Sequence, residues 1–129
     1  MFINMNLDES VSEPKPVAPG RYDLTIADAT YRQDKKDVRV SIGIDGHHDA
    51  PNITHYISFP KPEDDEGKRT FKQLMLKRFL TQFGVPYSDE GFDVADLAGA
   101  SCSAQVTLSE PDPQSGAVYN RINLDRLAN

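Results

Sequence analysis

The residues best suited to metal binding or thiol chemistry are three histidines and one cysteine. His47 and His48 are adjacent in "GHHD", so on a strand they would point to opposite faces. A zinc site needs three or four convergent ligands, and the polarity of a turn accounts better for this pair, even with His55 nearby. Cys102 alternates with apolar residues, which is typical of a small buried residue rather than a reactive thiol. We therefore predict no metal site and no cofactor.

Signatures of catalysis are missing from the sequence. It has no glycine-rich phosphate loop, no serine nucleophile elbow and no zinc-binding helix with a His-Glu pair. The neighbouring acids Asp64 and Asp65 fall at a predicted helix start, where negative charge is favourable, and Asp89 and Glu90 fall in a loop. No histidine or metal-ligand set accompanies them. We predict that the chain is not an enzyme.

Exposed aromatic and basic residues suggest a different chemistry. Binding of single-stranded nucleic acid without sequence preference needs aromatic faces for base stacking and cations along one groove. The candidate stacking residues are Tyr31, Tyr56 and Tyr119, and the candidate cations are Arg32, Lys35, Lys36, Arg39, Lys61 and Arg121. Packing also accounts for the tyrosines, because tyrosine favours strands, and solubility accounts for Lys35 and Lys36 as well as phosphate contact does.

The overall composition narrows the class of protein. A chain of 129 residues with net charge −6 is expected to form one domain and to bind duplex DNA poorly, since duplex binding needs many phosphate contacts. A local basic groove is compatible with that charge. The sequence has no apolar run long enough to cross a membrane, its start does not resemble a signal peptide, and its single cysteine fits a reducing compartment. We expect a cytoplasmic protein.

The chain divides into an arm and one domain. Residues 1–19 contain Asp8, Glu9 and Glu13 and three prolines, and are predicted to be a flexible acidic arm. Residues 20–129 are predicted to be the folded domain.

Alternating apolar residues predict five strands in that domain. The first begins after Gly20, and its phase changes near Ala27 and Asp28, which indicates a β-bulge. The remaining four are predicted at 38–44, 53–59, 102–108 and 118–124, with "RQDKKD" at 32–37 as a polar hairpin loop.

One long helix is predicted between the third and fourth strands, over about 68–83. Its apolar stripe consists of Phe71, Leu74, Met75, Phe79 and Phe83, and is widened by Leu76 and Leu80. Gly84 supplies the left-handed stop, with Val85 placed against Leu80 in a Schellman-type ending.

This element order is that of the OB-fold, a five-stranded Greek-key barrel. The helix would then close the open end of the barrel with its wide apolar stripe. A five-stranded open sheet with a packed helix fits the same order of elements.

Four segments together resemble a family of small phage-encoded proteins related to phage single-stranded DNA-binding proteins. They are "PGRYDLTIADA" at 19–29, "LKRFLTQFGV" at 76–85, "DLAGAS" at 96–101 and "SGAVYNRI" at 115–122. The resemblance implies an OB-fold and a role in replication or recombination. Two departures stand out. "DKKD" replaces the glycine that members usually carry between the first two strands, and the chain ends in "LDRLAN" rather than in an acidic tail.

The resemblance, taken with the exposed aromatic and basic residues, implies a phage protein of DNA replication or recombination that binds single-stranded DNA in a barrel groove, in the cytoplasm of the host cell. Phage or host replication proteins are also expected as partners. The alternative is an acidic protein-interaction module that keeps the OB-fold and binds a phage or host protein instead of nucleic acid. Monomer and dimer are both compatible with the sequence.

Overall fold

The structure, a computed structural model, describes residues 1–8 and 13–128. In that part of the chain five strands and one long helix follow one another in the predicted order. They are β1 (Gly20–Arg32), β2 (Asp37–Ile44), β3 (Ile53–Ser58), α1 (Glu66–Gln82), β4 (Ser101–Leu108) and β5 (Asn120–Asn123), with a single 3-10 turn at Val94–Asp96.

The strands form a nearly closed antiparallel barrel. Their order in the sheet is β3-β2-β1-β4-β5, and the two edge strands, β3 and β5, contact each other. With α1 between β3 and β4, this is the predicted OB-fold-like architecture rather than an open sheet.

The bulge predicted in β1 is confirmed. Ile26 pairs with Ile42, but Asp28 pairs with Ser41, so Ala27 is the extra residue. The bulge bends β1 and changes which residues face inward. The N-terminal half of β1 pairs with β4 and the C-terminal half pairs with β2, which is how one strand closes the barrel.

The C-terminal half of α1 fills the end of the barrel. Phe79 is fully buried; its ring stacks on that of His55, with 4.8 Å between the ring centres, and packs at a tilt against that of Phe83, at 4.7 Å. The prediction that the whole apolar stripe is covered was wrong, because Phe71 remains 60% exposed. Phe71 lies eight residues before Phe79, about 12 Å further along the helix axis, beyond the barrel mouth.

Local capping fixes both ends of α1. The Asp65 carboxylate accepts a hydrogen bond from the Lys68 N–H at 2.7 Å, as an N-cap residue should. At the other end the Val85 N–H donates to the Leu80 carbonyl at 2.9 Å, and Gly84 has φ of 67°. The predicted Schellman-type ending is confirmed.

The segments before β1 and after β5 are fastened to the barrel. The buried Asn120 side chain accepts a bond from the Val17 N–H at 2.9 Å and donates to the Val17 carbonyl at 3.0 Å. Arg21 on β1 forms an ion pair of 2.9 Å with Asp125, whose N–H donates to Gln82 at 2.8 Å. Val17, which precedes β1, and Asp125, which follows β5, are therefore both bonded to residues of the folded domain.

Residues 1–8 of the predicted arm are exposed and form no helix or strand. Glu9 and the rest of 9–12 lie outside the described residues, so flexibility of the arm stays a prediction. Within the described ranges, no helix has the length and apolar character required to cross a lipid bilayer.

Candidate nucleic-acid interface

The strand register brings Thr30, Arg39 and Tyr56 side by side across β1, β2 and β3. The next ladder position, Val38 paired with Ile57, is buried, so the three residues point away from the core. Tyr56 is 47% exposed. We call this row and the adjoining row of Arg32, Asp37 and Ser58 the outer face.

The Tyr56 ring is contacted by Arg32, which forms an ion pair with Asp37 on the outer face. The Arg32 guanidinium lies 4.7 Å from the centre of the Tyr56 ring and donates two bonds to the Asp37 carboxylate, at 2.8 and 2.7 Å. These hydrogen bonds lower the pKa of Asp37 and raise that of Arg32. Arg32 is therefore a positioning residue for the ring, and much of its charge is offset locally.

Arg39 is the cation of the outer face that keeps its charge available. It is exposed, and among the described residues no carboxylate oxygen lies within 4.0 Å of its guanidinium. A phosphate approaching Tyr56 would meet Arg39 on the neighbouring strand.

The turn between β1 and β2 presents two further cations. Lys35 and Lys36 are exposed at its tip, and the Lys36 N–H donates to the Arg32 carbonyl at 2.7 Å. Lys36 has φ of 55°, the one positive φ at a non-glycine position of the described chain. It adopts the left-handed conformation that glycine takes most readily, which explains how "DKKD" closes this turn without a glycine.

Tyr31 lies on the opposite side of the sheet from Tyr56. After the bulge it pairs with the buried Val38, and it is half exposed only because it stands at the strand end. With Lys35, Lys36 and Lys61 it lines a shallow depression of about 390 Å³, which we call the turn depression. Two acids, Asp34 and Glu63, also line it, so its charge is only weakly positive.

Tyr119 and Arg121 form a third group of predicted site residues. Arg121 on β5 pairs with Thr107 on β4, and Tyr119 is held beside Ser109 by two hydrogen bonds of 2.8 and 2.9 Å. Both are exposed on the part of the chain that closes the barrel against β3.

The predicted residues therefore fall into three groups around the barrel. Only Arg32, Arg39 and Tyr56 share one face, and the turn with Lys35 and Lys36 joins that face to the turn depression. Asp37, which orients Arg32, was not among the residues predicted from the sequence. The sequence did indicate this ion pair, because Arg32 and Asp37 flank the hairpin turn. Opposite charges at facing positions of a hairpin readily form such pairs.

His47 and His55 pack against aromatic rings, and Cys102 is partly buried. Burial lowers the pKa of His55, which lies flat on Phe79, and His47 contacts the edge of the Tyr22 ring at 5.3 Å. Burial raises the pKa of Cys102 to about 11. Across residues 1–8 and 13–128, no three His, Cys, Asp or Glu side chains converge as metal ligands would.

The structure is therefore an OB-fold-like barrel whose outer face carries aromatic and basic side chains. In comparisons with known proteins, no family model matches the chain, and no curated protein is significantly similar to it.

Proposed function

We propose that this protein binds single-stranded DNA across the outer face, as a non-enzymatic component of phage replication or recombination. The observation that carries the proposal is the row in which the exposed Tyr56 ring stands beside Arg39, a cation with no carboxylate partner in the described part of the chain. An aromatic face next to a free cation is the minimal unit of sequence-independent single-strand binding.

Each residue of the unit has a distinct part. One base stacks on Tyr56, whose ring is held in place by Arg32 and, through it, by Asp37. Arg39 contacts the adjoining phosphate. Lys35 and Lys36 contact the next phosphates, where the strand passes over the hairpin turn towards the turn depression.

The acidic composition sets the expected strength. Because the net charge is −6, long-range attraction to DNA is absent and binding depends on short-range contacts. A stacked base contributes about 1–3 kcal/mol, so one or two bases with a few phosphate contacts give micromolar affinity at low salt.

The test is a fluorescence titration with unstructured oligo-dT. The chain has five tyrosines and no tryptophan, so quenching of tyrosine emission reports stacking directly. Binding is measured at low salt and again at about 300 mM salt, where phosphate contacts weaken. Tyr56→Leu is expected to weaken binding about tenfold and to remove most of the quenching.

Matched controls separate the outer face from the remaining exposed tyrosines. Tyr87→Leu changes an exposed tyrosine beside α1, in the loop 84–92, and should leave the affinity unchanged. Arg39→Gln should weaken binding and flatten its salt dependence. The proposal fails if oligo-dT does not bind at low salt, or if Tyr56→Leu and Tyr87→Leu behave alike.

A second candidate, the protein-interaction module, is favoured by an apolar groove between α1 and β3. The exposed Phe71 lines this groove of about 330 Å³ together with Met75, Leu76 and Tyr56. Exposed apolar surface beside a helix commonly marks a protein-binding site. In this case a phage or host replication protein, rather than DNA, is the principal partner.

The two functions make opposite predictions for one variant. Phe71→Ser removes apolar surface from the groove but leaves the row of Arg39 and Tyr56 intact. If the protein binds DNA, oligo-dT affinity is unchanged in this variant. If it is an interaction module, a nuclease-resistant partner captured at fixed stoichiometry is lost.

A further inference from the structure

A further cavity lies away from the outer face, where the end of α1, the start of β4 and the segment after β5 meet. Its volume is about 370 Å³, and we call it the C-terminal cavity. Its lining residues include Arg78, Arg126, Gln82, Cys102 and Asp125.

Arg78 enters this cavity with an unsatisfied donor. Its Nε–H is inaccessible to solvent and has no hydrogen-bond acceptor in the described part of the chain. Buried polar atoms in proteins are nearly always hydrogen-bonded, and a charged donor left without an acceptor is costly. Because this atom has no accessible surface, a molecule bound in the cavity would be held by the terminal N–H groups of the same guanidinium, which donate no hydrogen bond within the described chain.

The acceptors already present are used by different donors. The Asp125 carboxylate is engaged by Arg21 at 2.9 and 3.4 Å, which leaves no carboxylate of the described residues paired with Arg78 or Arg126. The Gln82 side-chain oxygen accepts the Asp125 N–H, and its amide donates to the Ser103 carbonyl.

Among the described residues that line the C-terminal cavity the charge is therefore positive, although the protein is acidic overall. Arg78 and Arg126 have no ion-pair partner among the described residues, while Arg21 and Asp125 neutralise each other. The Cys102 thiol adds no negative charge at neutral pH, because burial raises its pKa to about 11. Two such guanidinium groups match the double negative charge of phosphate better than the single charge of a carboxylate.

The geometry points to a phosphate-binding site in the C-terminal cavity, with Arg78 and Arg126 as the ligands. The group bound is either free inorganic phosphate or the terminal phosphate of a nucleic-acid strand. This site is independent of the proposed outer-face function, because no residue lining the C-terminal cavity belongs to the outer face.

The test measures the melting temperature of the full chain as sodium chloride is replaced by inorganic phosphate at constant ionic strength. Phosphate at about a hundred times its Kd should raise Tm by roughly 10 °C. Arg126→Gln and Arg78→Met should each weaken phosphate binding about tenfold or more. Arg69→Gln, which removes the same charge from the other end of α1, should bind phosphate as the native chain does.

If Arg78 has a purely structural role, Arg78→Met should lower Tm already in sodium chloride, before any phosphate is added. In a phosphate site, Arg78→Met removes a buried unsatisfied donor, so it should keep or raise Tm in chloride while reducing the shift caused by phosphate to about half or less. Absence of a Tm shift in the native chain, or equal shifts in Arg78→Met, Arg126→Gln and Arg69→Gln, overturns the proposal. Arg126 is exposed, so its variant tests the site even if Arg78→Met does not fold.

The source of the phosphate is distinguished by competition. Oligo-dT with a 5′-phosphate should displace inorganic phosphate if the site takes a strand terminus, whereas oligo-dT without it should not. Failure of both oligonucleotides to compete, with phosphate binding still dependent on Arg78, assigns the site to free phosphate.

Discussion

Replacing Lys36 by glycine should make the protein more stable and its interaction with DNA weaker. Lys36 has φ of 55°, in the left-handed region that L-residues avoid. Glycine removes a penalty of about 1–2 kcal/mol there but loses about 0.5–1 kcal/mol through the greater entropy of the unfolded chain. The net gain is about 0.5–1 kcal/mol, which for a chain of this size raises Tm by about 2–5 °C.

The same change removes one cation from the hairpin turn that borders the outer face. If Lys36 contacts a phosphate, the slope of log K against log salt becomes shallower by about 0.7. The assays are urea unfolding for stability and oligo-dT titration at several salt concentrations for binding.

Lys35→Gly is the matched control, because Lys35 is the neighbouring exposed lysine and lacks a positive φ. It should flatten the salt dependence in the same way but should lower stability, since it brings the entropy cost of glycine without relieving strain. If Lys36→Gly is no more stable than the native chain, or if both variants change stability equally, the account of this turn is wrong.

Three further predictions concern the barrel itself. Asn120→Asp keeps the volume of the side chain but places a carboxylate against the Val17 carbonyl, and should destabilise the fold by about 3 kcal/mol in urea unfolding. Burial lowers the pKa of His55 below 6.5, so stability should fall as pH drops through 6.5, and His55→Phe should remove this dependence. The hydrogen bond from Lys72 lowers the pKa of Asp64, so its stabilisation is complete above pH 3.8 and is lost as pH falls further; Asp64→Asn should show a shallower acid transition.

Each of these has a specific contrary result. A proteolytic map that is unchanged near Val17 in Asn120→Asp would show that the hydrogen bonds between Asn120 and Val17 do not hold that segment to the barrel. Unfolding curves of His55→Phe that keep the native slope between about pH 7 and pH 5.5 would assign that slope to different groups. An unaltered acid transition in Asp64→Asn would mean that its ion pair with Lys72 contributes nothing.

Local pattern was enough to predict most of the fold. Alternation located four strands closely, because each has one face on the core, and the change of phase at Ala27 predicted the bulge in β1. Glycine and proline after α1 predicted its ending. The fifth strand is shorter than predicted, Asn120–Asn123, because its partner β4 ends at Leu108, which stands opposite Asn120.

What local pattern could not give depends on contacts between distant segments. Asn120 was predicted simply as one position of an alternating strand, and its bonds to Val17 span 103 residues. Leu108 continues the alternation of β4 yet is 41% exposed, because it stands at the strand end. The separation of Tyr31 from Tyr56 follows from the bulge, which turns Tyr31 towards the Val38 side of the sheet.

The fastening of both terminal segments has a topological consequence. Val17 is bonded to Asn120, and Arg21 is bonded to Asp125, so the beginning and the end of the barrel are neighbours in space. A short linker could join the segment before β1 to the segment after β5, while the chain is cut in the exposed loop at 110–116 to give a new N-terminus and C-terminus. Such a circular permutant should retain the barrel, since the order in which the strands are connected can change while every pairing between them is kept.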